Sequence, residues 1–148
     1  MTSHTPAATV GETFSREHVF TAEKARAFAT AAGDDNPLHH DAAFAAASRY
    51  GRLIVSGTQT AALLLGLTAS HFSRRGSVVG VGYTLSYKRA VYMDDRVTVA
   101  WTVDAIRSTS AGDGQLIEMT GTLSNERGDI CVAATGTVLA FAPPSDSA

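Results

Sequence analysis

The chain has one cysteine, no excess of charge of either sign and no long hydrophobic run. Because Cys131 is the single cysteine among 148 residues, no disulfide can form within the chain. The formal net charge is −2, from 12 basic and 14 acidic side chains. Proteins that bind nucleic acids usually carry a basic stripe, and none is present here. We therefore expect no nucleic-acid partner.

Features of membrane insertion and export are also missing from the sequence. The longest mostly apolar stretch, 60–69, is about half the ~20 residues that cross a bilayer. The first residues lack the basic and then apolar segments of a secretory signal. Cys131 lies in the apolar run 130–134, where it is expected to pack in a core rather than act as a nucleophile. These features predict a cytoplasmic protein without a membrane partner.

Length and composition predict one globular domain. Hydrophobic residues make up 45% and charged residues 18% of the chain, which is typical of a globular protein. Both ends consist of small polar residues and prolines without hydrophobic periodicity. We expect a disordered tail over 1–10, a single domain over 11–142 and a second disordered tail over 143–148.

The N-terminal half contains signals for three helices. Thr21 and Asp41 are suitable N-caps for the first two helices, and Gly33 suits the end of the first. A third helix is expected to begin at Ser56-Gly57 and to continue to about residue 71. Its apolar residues surround the whole axis, and a helix of this kind is normally buried in a core.

After residue 76 the hydrophobic period changes to that of strands. Alternate residues of the first strand are expected to share one apolar face: Val79, Val81, Tyr83, Leu85 and Tyr87. Three further strands and an edge strand are expected at 97–103, 116–123, 130–141 and 11–19. Helices followed by antiparallel strands indicate an α+β fold. One all-apolar helix beside such a sheet suggests that the sheet wraps around the helix.

Carboxylates and imidazoles are concentrated between residues 33 and 41. Asp34 and His39 are five positions apart across a turn that contains Pro37, so their side chains can converge. A carboxylate and an imidazole within ~3 Å of one water can orient it and take its proton. Alternatively, Asp34, Asp35 and Asn36 only satisfy backbone groups of the turn and His39 is exposed. The spacing matches no zinc motif, and we expect no metal.

The segment Gly33-Asp34-x-Asn36-Pro37-Leu38-His39-x-Asp41 resembles the hydratase motif of the MaoC-like family, the (R)-specific enoyl-CoA hydratases of the hot-dog fold. The resemblance continues at Ile54-Val55-Ser56-Gly57 and at Tyr87-Lys88-Arg89-Ala90-Val91. It covers the chain from about residue 11 to about residue 141. It implies an antiparallel sheet wrapped around a central helix, and a homodimer whose two sheets join edge to edge.

The resemblance also implies roles for individual residues. Asp34 and His39 would activate a water that adds to a trans-2-enoyl thioester of CoA, or of acyl carrier protein, to give the (R)-3-hydroxyacyl product. The N–H of Gly57 would stabilise the enolate oxygen, since a helix N-terminus presents unpaired N–H donors. Asn36 and Ser56 are the other expected substrate-binding residues, although Asn36 could equally be a plain turn residue. No cofactor is implied.

The chain departs from the family pattern at the start of the third helix. The family usually has His-Gly-Met where this chain has Ser56-Gly57-Thr58, and Ala62 stands where a serine is often found. These departures keep one alternative open, a non-catalytic module that binds an acyl thioester. An acyl-CoA thioesterase is a second alternative, because that reaction also needs a water and a carboxylate. Basic residues near the pocket mouth are expected to bind the phosphates of CoA. The candidates are Arg49, Arg52, Arg74, Arg75, Lys88 and Arg89.

Overall fold

Five antiparallel strands form one sheet beside a long helix in the computed structural model, which describes residues 7–143. The strands are β1 (Thr13–Val19), β2 (Ser77–Tyr87), β3 (Arg96–Ser108), β4 (Gly114–Asn125) and β5 (Ile130–Phe141). The helices are α1 (Ala22–Ala31), α2 (Ala42–Ala47) and α3 (Gly57–Phe72), with a 3₁₀ turn at Pro37–His39. The strand order is β1-β3-β4-β5-β2, so β1 and β2 are the two edges of the sheet.

Local side-chain chemistry explains where the helices begin and end. Thr21 and Asp41 cap α1 and α2 by accepting backbone N–H groups, as expected. Ser56 caps α3, because its Oγ accepts the N–H of Thr58 at 3.2 Å. Gly33 follows α1 with φ of +75°, a left-handed conformation that favours glycine. The predicted boundaries of all three helices are therefore confirmed.

The core lies between α3 and the concave face of the sheet. α3 contacts all five strands, so the sheet curves around it as expected. Trp101 on β3 is buried and donates its indole N–H to the carbonyl of Leu64 on α3 at 3.0 Å. A Cβ at Gly121 on β4 would lie 2.5 Å from the Trp101 ring, so the ring requires a glycine there. Cys131 is fully buried, as its apolar surroundings predicted.

The expectation that α3 is buried on every side is wrong for one face in the single chain. Leu64, Leu67 and Phe72 are buried against the sheet. The residues at one-turn spacing on the opposite side are exposed, and they are Thr58, Ala62, Gly66 and Ala69. A sheet covers only one side of a helix, and apolar composition alone does not reveal which side.

The expected inner face of β2 is also wrong over its first half. Val79 and Val81 are 55% and 59% exposed. The pairing register with β5 shifts between Gly80 and Gly82, which marks a β-bulge. A bulge adds one residue to one strand, so the alternation before it is opposite to the alternation after it, where Tyr83 is half-buried. The sequence prediction assumed one uninterrupted alternation along the strand, so it placed the residues before the bulge on the wrong face.

The N-terminal segment packs earlier than the expected domain boundary. Ala7 and Ala8 are buried, and the N–H of Ala7 bonds to Gln115 Oε1 at 3.0 Å. These two residues belong to the packed domain, although the sequence placed them in a tail. The remainder of both expected tails, 1–6 and 144–148, lies outside the described residues. No helix within 7–143 is long and apolar enough to cross a membrane.

Candidate active site

The loop between α1 and α2 brings Asp34 and His39 together. Oδ2 of Asp34 lies 3.2 Å from Nε2 of His39. The loop is shaped by Asn36, whose Oδ1 accepts the N–H of Leu38 at 3.1 Å and whose own N–H bonds to Asp34 Oδ1 at 3.2 Å. The 3₁₀ turn that follows places the imidazole back over the carboxylate. The convergence expected from the sequence is therefore present.

The ring of His39 is held in one orientation by a backbone carbonyl. The residue is 5% exposed, and its Nδ1 lies 2.8 Å from the carbonyl oxygen of Ile54. A carbonyl oxygen only accepts, so Nδ1 carries the proton of this bond. In the neutral ring, Nε2 then presents a lone pair toward Asp34. The alternative of an exposed His39 in a plain turn is excluded by its burial.

Asp34 is held as a carboxylate from three sides. The hydroxyl of Ser56, at the start of α3, lies 2.5 Å from Asp34 Oδ2 and is fully buried. This hydroxyl lowers the pKa of Asp34, while partial burial raises it. The N–H of Asn36 and the nearby rings of His39 and His40 lower the pKa further. The net shift is downward, so Asp34 is ionised at neutral pH.

Gly57 opens α3 and places a free backbone donor at the site. Its N–H has no acceptor within the part of the chain that the structure describes, as is normal in a first helical turn. Its carbonyl accepts the hydroxyls of Tyr87 at 2.8 Å and Thr60 at 3.1 Å. A Cβ on Gly57 would lie 2.9 Å from the Tyr87 ring. A larger residue at position 57 would therefore displace the tyrosine ring from the helix start.

Tyr87 is the site residue that sequence reasoning missed. It was expected only on the apolar face of its strand, but the residue is 58% exposed and its ring lies over Gly57. The available signal was its place at the start of the stretch 87–91, the third stretch in which the sequence resembles the family.

A cavity of about 430 Å³ opens beside these groups. Its polar wall contains His39, Gly57, Thr60 and Tyr87. Its apolar wall consists of Ile54, Val55, Ala90, Val91 and Val132, and the remaining lining residues are Arg49, Tyr50, Lys88 and Arg89. Asp34, Asn36 and Ser56 do not line this cavity. Asn36 and Ser56, expected to contact substrate, instead bond to the loop and to Asp34.

The basic candidates divide into two groups. Arg49, Lys88 and Arg89 line the cavity. The other three candidates, Arg52, Arg74 and Arg75, do not line it. Arg52 pairs with Asp94, and Arg75 pairs with Glu12 at 3.2 Å.

A second cavity of about 320 Å³ adjoins the first and shares four lining residues with it. The shared residues are Arg49, Tyr50, Arg89 and Ala90. Arg127 adds a third guanidinium to the second cavity. No acidic residue within 7–143 lines either cavity, so the two form a continuous basic depression that suits a ligand with several negative charges.

The arrangement can activate a water and stabilise a developing oxyanion. Two acceptors converge at Asp34 and His39, and a backbone donor lies at the start of α3. Across residues 7–143, no cluster of three or more His, Cys, Asp or Glu is suited to hold a metal ion.

Comparison with known proteins identifies consistent relatives. Residues 6–126 match the family model of the MaoC like domain. An (R)-specific enoyl-CoA hydratase from Aeromonas caviae is 34% identical over 119 residues, which cover 80% of this chain and 85% of that protein. The solved (R)-hydratase from A. caviae superposes with a TM-score of 0.79 at 32% identity, covering 88% of this chain and 96% of that chain. A MaoC-like dehydratase from Rhodospirillum rubrum gives 0.80 at 28% identity, covering 93% and 95%.

His39 and His40 bond to backbone carbonyls through different ring nitrogens, and this predicts a different tautomer for each. When neutral, His39 should be the Nδ1–H tautomer, because Nδ1 donates to Ile54. His40 should be the Nε2–H tautomer, because its Nε2 lies 2.7 Å from the carbonyl of Asp34. Long-range ¹H–¹⁵N correlation spectra of ring-labelled protein at alkaline pH distinguish the two. Finding His39 protonated at Nε2 would contradict the orientation described above.

Proposed function

Because this chain belongs to the MaoC-like family of hydratases and dehydratases, we propose that it adds water to trans-2-enoyl-CoA to give (R)-3-hydroxyacyl-CoA. The observation that carries this proposal is the Asp34–His39 pair, 3.2 Å apart and bonded through Ser56 to the start of α3. The reaction needs no cofactor. In reverse it is the dehydration of a 3-hydroxyacyl thioester.

The water is bound by two acceptors. With Nδ1 of His39 donating to Ile54, the free Nε2 and the Asp34 carboxylate can each accept one hydrogen of the same water. Both of its hydrogens are then held, and an oxygen lone pair is left to attack the β-carbon. Asp34 takes the proton as the C–O bond forms and returns it to the α-carbon, so every atom of the water enters the product. General-base catalysis of this kind supplies ~10²–10⁴-fold.

The thioester oxygen becomes negative as the water adds, and Gly57 supplies the donor for it. Its N–H is free, it belongs to the first turn of α3, and it lines the same cavity as His39. The positive end of the helix dipole reinforces this donor. One such hydrogen bond contributes ~3 kcal/mol to stabilising a transition state. Tyr87 and Thr60 bond to the carbonyl of the same residue and hold the helix start in place.

The mechanism predicts a large effect of Asp34→Asn. The substitution keeps volume and hydrogen-bonding capacity but removes the base, so turnover of crotonyl-CoA should fall at least about 100-fold. Thioester binding should be largely kept, because the substitution keeps the size of the side chain and leaves every cavity-lining residue unchanged. Loss of enoyl absorbance measures turnover, and calorimetry with the saturated butyryl-CoA measures binding.

The matched control is Asp35→Asn, at the neighbouring exposed position of the same loop, which should keep wild-type turnover. A thiol reagent in the same assay separates the alternatives. Free thiol released in step with substrate loss would indicate a thioesterase, and binding without turnover by the wild type would indicate a non-catalytic module. Unchanged turnover in Asp34→Asn would remove Asp34 from the mechanism.

We further propose that the carrier is CoA rather than acyl carrier protein. The continuous basic depression contains Arg49, Lys88, Arg89 and Arg127 without an acidic lining residue. CoA carries a diphosphate and a 3′-phosphate, whereas the prosthetic group of acyl carrier protein carries one phosphodiester. Arginine forks suit phosphate oxygens. Arg127 is already paired with Asp129 at 3.4 Å, and the other three cations match the larger charge of CoA.

Arg89 lines both cavities, so its substitution tests the carrier. For Arg89→Ala, KM for crotonyl-CoA should rise about tenfold, since a hydrogen bond to a charged group contributes roughly 1.5–3 kcal/mol. KM for crotonyl-pantetheine, which lacks the phosphates, should stay unchanged. Arg107→Ala removes an arginine that pairs with Glu118 outside both cavities and should change neither value. An equal rise with both substrates would contradict phosphate recognition.

We also propose a homodimer joined through the β2 edges, with each cavity completed by the partner subunit. β2 is an edge strand with Val79 and Val81 exposed, and a bare apolar edge is an aggregation hazard unless it is covered. Its C-terminal end, Tyr87, already lines the cavity. A partner on this edge therefore lies close to the site.

Sedimentation equilibrium at micromolar concentration should give about twice the chain mass of 15.4 kDa. The double variant Val79→Lys/Val81→Lys should shift the protein toward monomer, because it places four like charges in the joined edges. Val19→Lys, an exposed valine on the opposite edge strand, is the control and should leave the dimer intact. A wild-type monomer, or dissociation by the control alone, would contradict the assigned edge.

A further inference from the structure

Asp34 is held from α3 by a chain of two hydroxyl groups. Ser56 Oγ lies 2.5 Å from Asp34 Oδ2 and 2.6 Å from Thr58 Oγ1. A carboxylate only accepts, so the single hydroxyl proton of Ser56 is committed to Asp34. The proton between the two hydroxyls must then come from Thr58. Ser56 Oγ also accepts the N–H of Thr58 at 3.2 Å, so both acceptor positions of the serine oxygen are filled.

These hydroxyls occur where the chain departs from the pattern that it otherwise resembles. Serine and threonine replace the histidine and methionine of the usual helix start, and Ala62 lacks the hydroxyl often found one turn later. Thr58 and Ala62 are four residues apart on the exposed face of α3, so they are neighbours on one side of the helix. The hydroxyl missing from position 62 is thus present one turn earlier on the same face.

We propose that Ser56 and Thr58 are positioning residues that together fix the orientation and ionisation of the Asp34 carboxylate during hydration. This inference rests on the proposed function, in which Asp34 is the base. Ser56 fixes Oδ2 beside His39, while the N–H of Asn36 fixes Oδ1. Thr58 acts through Ser56: by donating to the serine oxygen, it keeps the serine proton directed at Asp34.

The hydroxyl chain favours the charged form of Asp34. A hydrogen bond donated to a carboxylate lowers its pKa, and a donor that is itself accepting a hydrogen bond is polarised and donates more strongly. The titratable groups that face Asp34 are His39 and His40, on the loop that follows it. At the start of α3, the hydroxyl of Ser56 contacts Asp34 directly, and the hydroxyl of Thr58 contacts Ser56.

Removing this chain should make Asp34 easier to protonate. Asp34 acts as a base only when ionised, and His39 accepts a hydrogen of the water only when its ring is neutral, so both groups shape the acid limb of the profile. Without Ser56 the pKa of Asp34 rises, so the part of the acid limb of kcat/KM that belongs to Asp34 moves to higher pH. The loss is therefore largest at acid pH and smallest at alkaline pH.

The test is the pH profile of crotonyl-CoA hydration by Ser56→Ala and Thr58→Val. For Ser56→Ala we expect roughly tenfold loss at the acid end and a smaller loss at alkaline pH. Thr58→Val should shift the acid limb in the same direction by less, with KM unchanged, and Thr58→Ser should restore the wild-type profile. Because Thr58→Val keeps the cap from Ser56 to the backbone N–H, it tests the inference even if Ser56→Ala weakens α3.

Thr120→Val is the matched control. It removes another threonine hydroxyl that donates to a carboxylate, Asp104, at 2.5 Å on the sheet, and it should leave the profile unchanged. If Asp34→Asn abolishes turnover while both Ser56→Ala and Thr58→Val keep the wild-type acid limb, the inference fails and the proposed function stands. If Asp34→Asn is fully active, the proposed function itself fails.

Discussion

The hydrogen bond from Ser56 to Asp34 joins two independently anchored parts of the molecule, and the geometry of the site depends on it. The helix side is fixed in the core, where Trp101 of the sheet bonds to the carbonyl of Leu64. The loop side is fixed at the end of α1, where the N–H of Asp34 bonds to the carbonyl of Ala29 at 2.8 Å. Since Ser56 is fully buried, water cannot easily replace this bond, and the carboxylate keeps its place relative to the helix start.

A second hydrogen bond, from His39, also fixes the loop to the segment before α3. Its Nδ1 bonds to the carbonyl of Ile54, two residues before Ser56. The same short segment therefore holds the imidazole through a backbone carbonyl and the carboxylate through a side chain. Val55, between these residues, bonds through its N–H to Val91 at 2.7 Å. Asp34 and His39 are thus both bonded to the segment 54–56, and this shared attachment keeps them together.

Features set by neighbouring residues could be predicted from the sequence, whereas features set by packing could not. Thr21, Asp41 and Gly33 act within a few residues of their own position, so the helix boundaries followed from them. The convergence of Asp34 and His39 also depends on one short turn. The bulge in β2 depends on pairing with a strand about 50 residues later, and no local pattern marks it.

The same distinction explains which contacts of the site the sequence did not indicate. Ser56 was recognised as the start of a helix, but its bond to Asp34 spans 22 residues and depends on how the loop folds over α3. Tyr87 reaches Gly57 across 30 residues. Arg49 and Arg89 come from separate segments and meet only at the cavity. Residue types indicated which chemistry was available, and tertiary packing decided which groups took part.

The start of α3 faces one negative charge throughout the proposed reaction, although the charge changes place. Before water adds, the charge is on Asp34, held by Ser56 at the positive end of the helix dipole. As the proton moves to Asp34, an equal charge develops on the thioester oxygen at the N–H of Gly57. The helix end therefore stabilises both states, and only the difference between the two stabilisation energies affects the rate.

Hydrogen bonds that lower the pKa of Asp34 also make it a weaker base, so the hydroxyl chain favours a fixed, ionised carboxylate over a more basic one. In the proposed site the carboxylate does not act alone, because His39 also binds the water and the N–H of Gly57 stabilises the developing charge.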